Sequence, residues 1–132
     1  MSNGQFEYGP IPVLAGEALP AYRLVKLGVS SGALVATLAD VGDTGIAGLT
    51  GVAPTASGAM AAITLLNQPG TKQVTAGGVI TVGDALAVAN DGKVVEWSDE
   101  GEVFGVALES AAANNNVIEV LPLFGMVPVA AS

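Results

Sequence analysis

The sequence predicts an all-β protein, a small barrel or sandwich of about eight to ten short strands. Apolar runs of about four to eight residues end at Gly, Pro, Asn or Asp, and the periodicity expected of helices is weak. These runs recur about every 8–12 residues, the spacing typical of small sandwiches and barrels. A length of 132 residues suits one domain with its own core.

The segments that follow this pattern are predicted strands: residues 21–27, 33–38, 49–53, 59–66, 79–82, 85–89, 93–97, 103–108 and 117–123. The clearest hairpin spans residues 85–97, because Asp91-Gly92 supplies the positive φ angles that tight turns need. Residues 110–116 predict a loop or a short helical turn that ends on three asparagines, which tolerate left-handed backbone.

We expect an extended N-terminal arm, residues 1–14, followed by a single β domain, residues 15–132. Residues 15–66 and 76–123 echo each other, since Ala15-Gly16 and Ala76-Gly77 each precede apolar residues at the same steps. The triplet Gly51-Val52-Ala53 similarly matches Gly105-Val106-Ala107. The echo predicts either two similar β units around one core or a chance likeness within a biased composition.

The composition favours self-association. Hydrophobic residues make up 51% of the chain and charged residues 12%, about half the usual share. So few charges leave apolar surface that another copy or a larger lattice would cover, unless a coat of small residues keeps the chain monomeric. The net charge of −8 and the absence of a basic cluster exclude a nucleic-acid partner.

A membrane partner is not expected either. Residues 44–71 carry no charge, but glycines, Pro54 and Asn67 interrupt them. A membrane span needs a nearly continuous apolar run of about 20 residues. The first 14 residues also lack the basic start of a signal peptide.

The residue types argue against an enzyme. The chain has no His and no Cys, which removes the commonest general base, thiol nucleophile and metal ligands. We therefore predict no catalytic, cofactor-binding or metal-binding residues. The alternatives are a carboxylate pair at Glu109 and Glu119 and a calcium site in the acidic turn of residues 99–102. A solvated turn explains residues 99–102, Asp40 and Asp43 more simply, and Asp84 is expected to bond within its own turn.

Candidate contact residues lie in the arm. Gln5, Phe6 and Tyr8 precede the stiff Pro10-Ile11-Pro12 unit, and aromatic residues on an extended segment can dock on a neighbouring subunit. The alternative is a disordered arm. Trp97, the single tryptophan, is expected to be a core or interface anchor rather than a ligand-stacking platform.

One stretch of sequence resembles a known family. Residues 74–84 (VTAGGVITVGD), Asp91-Gly92-Lys93-Val94, residues 104–111 (FGVALESA) and Val120-Leu121 are similar to the capsid decoration, or cement, proteins of tailed bacteriophages. The likeness is best over residues 72–123 and loose before them.

This resemblance implies a homotrimer on the outer surface of the virion capsid, made in the host cytoplasm. It also implies that the trimer stabilises the phage head by clamping neighbouring major capsid proteins, with no catalytic residues. Two other functions stay open. One is a non-catalytic binding module, such as a carbohydrate-binding surface protein, and the other is a small β-barrel enzyme that works with carboxylates.

Overall fold

The computed structural model describes residues 10–43, 46–67, 70–98 and 103–123. These ranges hold ten β-strands and no α-helix, which confirms the predicted all-β class. Asn90–Gly92 forms a single 3-10 turn. The strands are β1 (Ile11–Ala15), β2 (Leu24–Ser30), β3 (Ala33–Leu38), β4 (Ile46–Thr50), β5 (Met60–Leu65), β6 (Lys72–Thr75), β7 (Ala85–Val88), β8 (Val94–Glu96), β9 (Gly105–Ala107) and β10 (Val117–Pro122).

The strands form two units with the same strand order. In the first unit (β1–β5) they close a barrel, which reads β1-β5-β4-β2-β3 around its circumference. In the second unit (β6–β10) they form a sheet ordered β6-β10-β9-β7-β8. The parallel pair Ala15↔Ala36 joins β1 to β3, and the parallel bridge Ala76↔Val94 joins the two edges of the second sheet in the same way.

The residue pairing also corresponds between the units. Leu24 pairs with Leu49 in the first unit, as Ala85 pairs with Val106 in the second. One step further along, Gly48 faces Val25 as Gly105 faces Leu86. The sequence match between Gly51 and Gly105 is therefore wrong, because strand pairing makes Gly48 the counterpart of Gly105.

The two interiors correspond residue by residue. The barrel core of the first unit consists of Val13, Ala15, Leu19, Val25, Ala36, Ala61 and Ile63. Seven residues at matching positions form the centre of the second unit: Val74, Ala76, Ile80, Leu86, Val94, Ile118 and Val120. Four buried residues of the first unit, Leu24, Ala39, Leu49 and Leu66, pack with this second cluster. The units thus share a continuous apolar interface.

Two strands escaped the sequence analysis, and one predicted strand is absent. β1 lies within the expected arm of residues 1–14, so that boundary is wrong and the β body begins at Ile11. Pro12 cannot donate a backbone hydrogen bond, which disguises β1 in the sequence. β6 was not predicted because it contains polar residues, although one of them, Lys72, is buried. Residues 79–82 form no strand, and only Ile80 makes an isolated bridge, to Ala111.

The predicted turns are confirmed. Asp91 and Gly92 have φ angles of 61° and 72° and join β7 to β8. Asn115, in the predicted loop before β10, has a φ of 76°. The Asp84 carboxylate accepts a hydrogen bond from the Thr81 backbone N–H at 2.9 Å, as expected for a residue that closes its own turn.

Candidate interaction surface

The residues predicted to contact a capsid or a neighbouring subunit, Gln5, Phe6 and Tyr8, lie outside the described residues. So does the acidic turn of residues 99–102. Trp97 is described and is half-buried just after β8.

The two glutamates of the possible catalytic pair are close together and engaged in structural bonds. The Glu119 backbone N–H donates to Glu109 Oε1 at 2.8 Å. The Glu119 carboxylate accepts a hydrogen bond from Thr71 Oγ1 at 2.6 Å. The Glu109 carboxylate therefore ties the loop after β9 to β10, and the Glu119 carboxylate ties β10 to Thr71, just before β6.

A polar cleft opens beside Glu119, between the two units. Its volume is about 380 Å³, and its walls include Tyr22, Thr50, Lys72 and Gln73. Lys72 is only 8% exposed, and its ammonium donates to the Gly70 carbonyl at 3.2 Å. The two charged side chains of this cleft both take part in structural hydrogen bonds, Glu119 with Thr71 and Lys72 with Gly70. We assign it no chemistry.

The carboxylates in the β3–β4 connection form specific hydrogen bonds, whereas the sequence predicted only a solvated turn. Asp43 accepts a hydrogen bond from Lys26 at 2.9 Å and another from the Asp40 backbone N–H at 2.8 Å. The Lys26 hydrogen bond, followed by the Asp40 N–H, lowers the pKa of Asp43. The same bond to Asp43 raises the pKa of Lys26. Asp40 accepts a bond from the Asp91 N–H, so this turn also contacts the second unit.

These shifts predict a small pH dependence of stability. A lowered carboxylate pKa means that the Asp43 contribution is present above the unfolded pKa and is lost as the pH falls through the folded value, below about pH 4. The raised Lys26 pKa means that its contribution is lost at the alkaline end, as the pH rises through the folded value. We expect Asp43→Asn to melt slightly below wild type at pH 7 and level with it near pH 2. A difference that persists unchanged at acid pH would contradict this assignment.

Within the described ranges, no group of three acidic side chains is placed to hold a metal ion. We therefore expect EDTA to leave the melting temperature unchanged. A site that binds only the folded state would instead add stability that chelation removes. The comparison is a thermal melt with EDTA against one with added Ca²⁺. A melting temperature that rises with calcium would contradict this expectation and make the acidic residues 99–102 the candidate site.

The contact between the units centres on the β7–β8 turn. The Gly92 N–H donates to the Ala39 carbonyl at 2.7 Å, and the Asp91 carbonyl accepts from Arg23 Nη1 at 2.9 Å. A Cβ atom at Gly92 would come within 2.5 Å of the Leu24 carbonyl oxygen. This turn therefore packs directly on the first unit, where only a glycine fits.

The β2–β3 hairpin ends very differently. All residues of its tip, residues 28–34, are exposed and uncharged. Val29 and Leu34 face each other across the strands and are 76% and 48% exposed. We call residues 28–34 the hairpin tip. Other exposed large apolar residues are scattered over the described surface: Val41, Val52, Met60, Val79, Val82, Leu108, Val117 and Leu121.

Sequence reasoning missed this tip because it treated residues 33–38 as an ordinary strand and did not pair them with residues 24–30. The available signal was a run of small and apolar residues around Ser31-Gly32 without a single charge. Such a run is unusual for an exposed hairpin, since natural edges are normally protected by charge.

The fold is similar to that of a solved phage protein. The structure matches the N base of the head fiber protein gp8.5 of bacteriophage phi29 with a TM-score of 0.69 and 24% sequence identity. The match covers 86% of this chain and 92% of that chain. No protein-family model and no curated protein sequence matches the chain. Among the described residues, no helix is long and apolar enough to cross a membrane. The likeness establishes the fold.

Proposed function

We propose that the protein is a non-enzymatic virion structural protein that sits on the outer surface of a phage head. The observation that carries this proposal is the likeness to the phi29 head fiber N base over 86% of the chain. The independent sequence resemblance to capsid decoration proteins points to the same location. The known neighbour is a head fiber base, and the role proposed for this chain is that of a decoration protein.

The proposed mechanism is stabilisation by several simultaneous contacts. The protein works as a homotrimer whose copies clamp neighbouring major capsid proteins. Three linked contacts raise avidity by about 10²–10⁴ without any new interaction, so weak single contacts suffice. The low charge and the exposed apolar residues support a chain that buries surface against copies of itself and against a lattice.

The oligomeric state is tested in solution. We expect sedimentation equilibrium at micromolar concentration to give a species of about 39 kDa, three times the 13.0 kDa chain. A single 13.0 kDa species at these concentrations would remove the trimer from the proposal. Location is tested separately, by co-sedimentation with expanded, DNA-free heads of the phage that encodes the chain, with unexpanded heads as the control.

The alternative is a non-catalytic module that binds carbohydrate at a surface. Such modules stack sugars on exposed aromatic side chains. Only Tyr22, Trp97 and Phe104 are aromatic within the described ranges, and none of them is highly exposed. A glycan array screened beside the head-binding assay separates the two functions. Binding to glycans with no binding to heads would favour the module.

A further inference from the structure

Two surfaces differ in exposure between the corresponding units. One is a face that is buried in the first unit and half-buried in the second, and the other is a turn that is packed in the second unit and exposed in the first. In the first unit, Leu24, Ala39, Leu49 and Leu66 are covered by the second unit and are at most 3% exposed. Their counterparts in the second unit follow from matching pairs. Leu24↔Leu49 corresponds to Ala85↔Val106.

Two backbone bonds fix the remaining counterparts. The Ala39 N–H donates to the Leu24 carbonyl at 3.0 Å, as the Trp97 N–H donates to the Ala85 carbonyl at 2.8 Å. The Leu66 N–H donates a hydrogen bond to the Ala47 carbonyl, as the Leu123 N–H does to the Phe104 carbonyl. The counterparts are therefore Ala85, Trp97, Val106 and Leu123. All four are half-buried rather than buried, and we call them the open face.

The element that covers the first unit also has an exposed counterpart. The β7–β8 turn packs against Leu24 and Ala39. The matching β2–β3 turn at Ser31-Gly32 is exposed, and a Cβ atom added at Gly32 would meet no atom of the described residues within 4 Å. The hairpin tip is also longer. Six residues lie between the paired Gly28 and Val35, against three between Ala89 and Lys93. The extra length carries the exposed Val29 and Leu34 outward.

We propose that the hairpin tip of one copy of this chain docks on the open face of a second copy. This inference deepens the proposed homo-oligomer by naming its contact surfaces. The contact repeats between chains the arrangement that joins the two units within a chain. The longer tip places Val29 and Leu34 over the apolar face that includes Trp97. Because the tip carries no charge, it can approach a chain of net charge −8 without local repulsion.

The proposed contact is heterologous, because the tip and the open face are different surfaces. Contacts of this kind generate a closed ring when the rotation between copies closes, and a growing filament when it does not. Three copies joined tip to face would form the proposed trimer.

The test breaks each surface separately. Val29→Lys places a charge on the tip, and Ala85→Lys places one in the open face. We expect each variant alone to sediment as a monomer, with self-association weakened about a hundredfold or more. The matched control is Val79→Lys. Val79 is 70% exposed, and its counterpart Ala18 stays exposed within the chain, so this variant should assemble like wild type.

Mixing the two broken variants gives the decisive result. Each retains one intact surface, so an equimolar mixture should form a species of two chains that grows no further. Trp97 is the single tryptophan, and its emission should move to shorter wavelength on mixing as the open face is covered. Val106→Lys, mixed with Val29→Lys in the same way, provides a second variant of the face in case Ala85→Lys misfolds.

Three outcomes would overturn the inference. One is a pair of variants that both assemble like wild type, and another is a pair that stays monomeric when mixed. The third is that the wild-type protein is a monomer and that its Trp97 emission changes only when residues 124–132 are removed. This result would identify residues 124–132 as the segment that covers the open face. Head binding distinguishes this inference from the proposed function. If the chains assemble tip to face but do not bind heads, only the proposed function is refuted. If both variants still form a trimer that binds heads, only the tip-to-face contact is refuted.

Discussion

Replacing Gly105 with alanine is expected to lower the melting temperature by about 10 °C or more, since a loss of about 2–4 kcal/mol has this effect in a chain of this size. Gly105 is buried in β9, and a Cβ atom there would collide with the Leu121 carbonyl oxygen and lie 3.0 Å from the Pro122 Cα. These atoms belong to the backbone of β10 and cannot rotate away as a side chain would. The β9–β10 pairing would have to separate.

Two further glycine variants control this prediction. Gly28→Ala changes a strand glycine where an added Cβ atom would meet no other atom within 4 Å, so its melting temperature should stay the same or rise slightly. Gly48→Ala, at the counterpart of Gly105, would meet the Thr64 carbonyl oxygen at 2.8 Å and should destabilise the first unit. Equal melting temperatures for Gly105→Ala and Gly28→Ala, measured by circular dichroism, would show that the β9–β10 contact is not this close.

Two truncations of the N-terminus are expected to affect the thermal stability of the protein very differently. Removal of residues 1–15 deletes β1, which pairs with both β3 and β5 to close the barrel. It also removes Val13 and Ala15 from the core, where they are 2% and 1% exposed. We expect this chain to lose its cooperative thermal transition, because an open barrel exposes its apolar interior and two unpaired strand edges.

Removal of residues 1–8 should instead leave the melting temperature nearly unchanged and weaken binding to expanded heads by about tenfold or more, about 1.4 kcal/mol. This truncation deletes Gln5, Phe6 and Tyr8 but retains all of β1. The assay is a thermal melt followed by head co-sedimentation of the same preparation. Undiminished head binding would transfer the capsid contact to the β body. A lost transition would place residues 1–8 in the fold.

The amino-acid sequence determined the features that depend on local chemistry. Short apolar runs bounded by turn residues predicted the all-β class, and β3 was predicted with its observed bounds. Asp91-Gly92 predicted its own left-handed turn, because few other residue pairs adopt two positive φ angles at low cost. The absence of His and Cys removes the commonest general base and thiol nucleophile, which depends on composition alone.

The tertiary structure decided what depends on partners distant in the chain. β1 and β6 carry a proline or polar residues, and they become strands because barrel closure and β10 supply their hydrogen-bond partners. The two hairpins have similar turn chemistry, but Gly92 is buried against Leu24 while Gly32 is exposed, with open space around it among the described residues. Local sequence sets the backbone angles of a turn, whereas the surface that the turn meets is set by how the two units pack. The correspondence between the hairpin tip and the packed β7–β8 turn, and the position of the open face, are therefore decided by the tertiary structure.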